Sequence, residues 1–89
     1  MDLEAIKAGV VTNVYHLDVD KKWPIHKHDT QDEVFYCIKV SGFGVLENGE
    51  QELKVGDAFI VRAGVMHSLR TDENLFVTSF LIPVIEDQT

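Results

Sequence analysis

The chain has 89 residues, 45% hydrophobic and 26% charged, with a formal net charge of −7 and a pI near 4.8. That is the composition of a folded globular protein, and with no cluster of Lys or Arg its negative charge argues against nucleic acid and anionic membranes as partners. A chain this short buries only about 60–65% of the surface it exposes when unfolded, and its single cysteine, Cys37, excludes an intramolecular disulfide, so a metal, a partner subunit or both are expected to support the fold.

The N-terminal "MDLEAIKAGVV" lacks the basic-then-apolar order of a secretory leader, and no apolar run approaches a membrane span. A cytoplasmic setting is expected. The first eight residues favour helix and Gly9 ends them. From there the chain reads as short strands separated by turns. Val10–Leu17 is β-branched and aromatic, and Trp23–His26 is short and extended because Pro24 biases Trp23 away from helix. Glu33–Ser41, "EVFYCIKVS", is the strongest strand by composition. Asn48-Gly49 signals a hairpin turn, and Gly56-Asp57 marks a turn before a strand at Ala58–Val61. Ala63-Gly64 interrupts again, Met66–Arg70 resumes, and Phe76–Val84 is the last strand. Turns every 8–12 residues with no helices between them imply a single all-β domain over residues 1–89, a sandwich or barrel.

The stretch "IHKHDTQDE" places His26 and His28 on one face if it is extended, because strand side chains alternate. Asp29–Asp32 are turn-formers, and as a hairpin loop they would set Glu33 against His28. Two imidazoles and a carboxylate would then converge, although a polar surface loop explains the same residues. His67, in "VRAGVMH", lies two or more strands away, and only a closed barrel or sandwich returns it to the cluster. His16 has no partner spacing and reads as a surface strand residue. Glu33, Phe35 and Cys37 share strand parity, which makes Phe35 and Cys37 candidate pocket walls or plain core. Lys39 and Arg62 read as solvated. Val34, Tyr36, Ile38 and Val40 form an apolar stripe on the opposite face, which suggests a subunit interface or a second layer of core.

Taken together, the two histidine segments resemble the two-part signature of the cupin family, G-x5-H-x-H-x3–4-E-x6-G followed by G-x5-P-x-G-x2-H-x3-N. The first part is His26-Lys27-His28 and Glu33; the second is Gly56, Arg62-Ala63-Gly64 and His67. The resemblance spans about residues 10–82. Asp20 stands at the first glycine, eight residues rather than six separate Glu33 from Gly42, Arg62 replaces the proline and Thr71 the asparagine. The resemblance implies a small jelly-roll β-barrel of two antiparallel sheets. Its metal would be one divalent ion (Fe, Mn, Ni, Zn or Cu) held by His26, His28, Glu33 and His67. It further implies a small-molecule ligand, with oxygenase or isomerase chemistry on a small polar substrate, or else a non-enzymatic sensor or binding module. A homodimer is expected.

Overall fold

The computed structural model describes residues 3–20 and 23–84. A short helix, α1 (Leu3–Gly9), precedes seven strands: β1 (Val11–Asp18), β2 (Gln31–Lys39), β3 (Gly42–Leu46), β4 (Gly49–Leu53), β5 (Ala58–Val61), β6 (His67–Arg70) and β7 (Asn74–Pro83). They form two antiparallel sheets, one ordered β1-β7-β2-β5 and the other β4-β3-β6. The expected all-β fold of two antiparallel sheets is therefore present. The expected barrel is not closed: among the described residues no ladder joins the two sheets, and the 23–28 segment contributes only an isolated bridge from His26 to His67.

Strand alternation builds the core. Glu33, Phe35 and Cys37 of β2 are buried while Val34 is half-buried and Tyr36 exposed; Ser79 and Val77 of β7 are buried opposite Phe35 and Cys37, and Leu75 of β7 is buried opposite Leu17. Leu17, Phe59 and Val61 complete the layer on the large sheet, and Leu53 and Leu69 meet it from the small one. Each fully buried Leu or Phe contributes about 1.5–3 kcal/mol of transfer free energy. Gly42 and Gly44 of β3 face this core. A Cβ on Gly44 would sit 2.6 Å from the Phe59 ring, and one on Gly42 would sit 2.6 Å from Leu75 Cδ2. The two sheets approach closely only because these positions have no side chain.

Turns at glycine follow backbone needs. Gly56 (φ 95°) closes the Lys54–Asp57 turn and Gly64 (φ 86°) the Arg62–Val65 turn, each with a backbone hydrogen bond from the fourth residue to the first. The β3–β4 hairpin turns on Glu47-Asn48, one residue earlier than the Asn48-Gly49 signal suggests, since Leu46 and Gly49 are register partners.

The long interval after Glu33 is a substitution, not an insertion. Seven residues on from Glu33, with six between, the family's glycine position is occupied by Val40, whose φ is 65°. A β-branched residue in the left-handed region carries strain that glycine would not. Just before it the β2–β7 register shifts between Cys37 and Lys39, leaving Ile38 as a bulge. The bulge turns Lys39 outward, where its Nζ lies 5.9 Å from the Phe76 ring centroid. Thr71, at the asparagine position, donates to Ser41 O (2.8 Å) and accepts from Glu73 N (3.0 Å), tying the β6–β7 turn to the β2–β3 turn.

Candidate metal centre

His26, His28, Glu33 and His67 converge, each offering one ligand atom, and those atoms all lie within 4.8 Å of one another. The route differs from the hairpin read in the sequence. Gln31 and Asp32 already belong to β2, and β2 pairs with β7 and β5, not with the 26–28 segment. That segment instead lies against the start of β6: His26 and His67 exchange backbone hydrogen bonds of 2.9 and 2.7 Å, and His28 O accepts from Gly64 N (2.8 Å). The correction has a simple cause. Asp29 and Thr30 carry the chain from one sheet to the other rather than folding it back on itself.

The 62–66 loop that delivers His67 is held from both sides. Asp32 Oδ1 accepts from Ala63 N (2.7 Å), while Gly64 N is spent on His28. The exposed Arg62 lies 3.5 Å from Asp32 Oδ2. His16 is remote from the cluster: it is exposed, stacked on Phe76 at 4.4 Å and 3.3 Å from Asp18.

The imidazoles are oriented by main-chain carbonyls two residues upstream. His67 Nδ1 lies 2.9 Å from Val65 O and His26 Nδ1 lies 3.1 Å from Pro24 O. Donation from Nδ1 leaves Nε2 of each ring as the free ligand nitrogen. The rings cluster tightly, with centroids 4.5 Å apart for His26–His67, 5.1 Å for His26–His28 and 5.6 Å for His28–His67. His67 and Glu33 are almost wholly buried, whereas the His28 side chain keeps 28% of its exposure, so the cluster opens on the His26/His28 side.

Glu33 Oε1 lies 2.9 Å from His67 Nε2 and 3.2 Å from His28 Nε2, and its Oε2 accepts from Ser79 Oγ at 2.5 Å. Burial raises the Glu33 carboxyl, but hydrogen bonds from His67 and Ser79 and the charges of both histidines outweigh it, so the net shift is downward. Burial likewise opposes charge on His67, yet its bonds to Glu33 and Val65 outweigh this and its pKa rises. The donor set fits a cation. With Nδ1–H given to Val65, Nε2 and Oε1 would face each other as two acceptors unless a proton or a metal ion lies between them.

Of the other residues singled out in the sequence, Phe35 reaches the centre, its ring 5.9 Å from that of His67 and 6.0 Å from that of Phe59. Cys37 lies deeper in the core and its Sγ donates to Val40 O (2.9 Å). Ser79 escaped sequence reasoning. Its only signal is a hydroxyl at inward parity within the apolar run "FVTSFLIP", and parity is unreadable there until the register with β2 is known.

A family model described as a cupin domain matches residues 13–82. No curated protein matches the sequence. Among solved structures, the chain is similar to a predicted oxalate decarboxylase from Thermotoga maritima (20% identity, TM-score 0.80, covering 94% of this chain and 76% of that one). It is also similar to a cupin protein from Bacteroides fragilis (17%, TM-score 0.78, covering 91% and 73%) and to KdgF from a Halomonas species (22%, TM-score 0.76, covering 85% and 71%). At these identities the likeness is one of fold, and together with the family match it establishes that the chain belongs to the cupin family.

Proposed function

We propose that this cupin holds one divalent metal ion through His26, His28, Glu33 and His67 and binds a small polar ligand at that ion. The observation that carries the reading is the convergence of the donors: one ligand atom from each of the four residues lies within 4.8 Å of the others, His67 and His28 set Nε2 at 2.9 and 3.2 Å from Glu33 Oε1, and the Val65 and Pro24 carbonyls engage Nδ1 of His67 and His26. Three neutral imidazoles and one carboxylate leave a net charge of about +1 on a divalent ion, and such mixed ligation suits Fe, Mn, Ni, Cu or Zn. When bound, the ion supplies Lewis-acid polarisation or dioxygen activation. The chain's own residues orient the site and exclude water. Phe35 lies against His67, Cys37 is part of the core, and the Phe59 ring fills the space that Gly44 leaves open. A ligand therefore approaches from the His26/His28 side, as a small acid, sugar or aromatic compound would, for oxygenation or isomerisation.

A non-enzymatic binding module is the second reading. It is favoured by the engagement of both Glu33 oxygens, which leaves the buried carboxylate of the cluster committed rather than free for proton transfer. A homodimer and a cytoplasmic setting belong to the same proposal. The dimer is supported by the outer face of the large sheet, where Val14, Tyr36 and Ile60 are exposed beside Val34 and Phe80. No helix among the described residues is long and apolar enough to cross a membrane.

The test is metal analysis of untagged protein purified without oxygen, alongside His67→Ala. One equivalent of metal in the wild type, lost in the variant together with metal-dependent thermal stability, is the expected result. Unchanged metal content in His67→Ala refutes the site. Dioxygen consumption or turnover by the iron- or manganese-loaded protein separates enzyme from binder.

A further inference from the structure

We propose that Ser79 is a positioning residue that makes Glu33 a one-oxygen ligand, an inference that rests on the metal reading above. Glu33 and Ser79 are not direct cross-strand partners. The ladder pairs Glu33 with Leu81 and Phe35 with Ser79, so the carboxylate reaches diagonally across β7 to the hydroxyl. Ser79 is fully buried, and its Oγ donates to Oε2 at 2.5 Å, within the range of a charge-assisted bond to a carboxylate. The remaining oxygen, Oε1, is the one that faces His67 Nε2 and His28 Nε2 at 2.9 and 3.2 Å.

The division of labour between the two oxygens follows from this geometry. A glutamate free to rotate about its last torsion can present one oxygen or both to a metal. Here one is occupied from within the protein, so the carboxylate is oriented before an ion arrives and cannot chelate without breaking a buried hydrogen bond. One more coordination position on the ion is thereby kept for water or ligand. The inward positions on either side of Ser79 in β7 are Val77 and Leu81, neither of which can donate to the carboxylate. Partners of this kind, one bond removed from the metal, typically alter its affinity 10–100-fold when removed.

The test uses zinc and the full chain. Affinity is measured by competition with a chromophoric chelator for the wild type, Ser79→Ala and Ser79→Thr, and carboxylate binding mode is read by X-ray absorption. The expected results are a wild-type carboxylate bound through one oxygen and a loss of about 10–100-fold in Ser79→Ala. Ser79→Thr, which keeps the hydroxyl, restores most of that loss, and Ser79→Ala moves toward a chelating carboxylate. A chelating carboxylate in the wild type overturns the proposal without recourse to any variant. So does a Ser79→Ala protein that melts lower without metal yet binds zinc as tightly as the wild type, because Ser79 would then only satisfy a buried charge. If the wild type itself fails to bind zinc, the metal reading fails first and takes this inference with it.

Discussion

Val40→Gly should stabilise the protein. Val40 has φ 65° at the β2–β3 turn, where an L-residue's Cβ crowds its own backbone. Left-handed backbone costs about 1–2 kcal/mol for a residue with a Cβ, and β-branching allows few rotamers to relieve it. Glycine removes this cost but loses more chain entropy on folding, about 0.5–1 kcal/mol, and forfeits the partial burial of the valine side chain. The two backbone costs differ by about 0–1.5 kcal/mol, and the lost burial leaves a gain of at most about 1 kcal/mol, or up to about 4–8 °C in Tm for a domain of this length. Val40→Asn should gain less, and Val40→Ala should be no better than the wild type, because alanine keeps the strain and loses packing. Thermal and urea denaturation of the metal-free protein give the ranking. If Val40→Gly falls as low as Val40→Ala, the side chain matters for packing and the strain argument is wrong.

Four further outcomes follow from the same geometry. The raised His67 pKa contributes stability that is full below about pH 6.5, its unfolded value, and is lost as pH rises through the folded value; the lowered Glu33 pKa contributes stability that is present above about pH 4.5 and is lost as pH falls through its folded value. Metal-free protein should therefore lose the His67 contribution as pH rises above 6.5, whereas zinc affinity should climb by up to tenfold per pH unit while His67 still holds a proton that zinc must displace; zinc affinity that is flat over this range contradicts the pairing. Gly44→Ala should cost about 1–3 kcal/mol by overpacking against Phe59, and Phe59→Leu should recover part of that loss in the double variant, so strict additivity in denaturant melts would refute the clash. Ile60→Glu, on the exposed outer face, should shift a dimer to monomer in sedimentation without lowering metal content, and a wild type already monomeric at high concentration ends that proposal. Cys37, whose pKa is raised first by burial, should resist alkylation until the fold opens; labelling that is fast and independent of denaturant would show the core to be looser than described.

The fold was legible because its signals are local. Alternation in "EVFYCIKVS" separates Glu33, Phe35 and Cys37 from Val34 and Tyr36 without knowledge of any partner strand, and Gly56 and Gly64 mark turns by their own backbone requirements. The four donors were legible because the family signature joins the 26–33 and 56–67 segments. What stayed hidden depends on contacts between segments. Whether the 26–28 segment folds against Glu33 or against His67 is decided by sheet assignment, and spacing favoured the wrong neighbour. Lys39 changes face only because Ile38 bulges against β7, and Ser79 meets Glu33 only in one β2–β7 register. Val40 read only as part of an apolar stripe because a valine does not announce a left-handed backbone.

The reciprocal backbone bonds between His26 and His67 also bear on the order of assembly. Before they form, the chain can offer an ion only His26, His28 and Glu33 from one local segment, and closing the loop to His67 requires the intervening strands β2–β5 to be in place. If the chain binds a metal as proposed, tight capture would thus be a late event, following the docking of the 26–28 segment against β6. A partly folded chain would hold its ion weakly and give it up to any competing chelator in the cell.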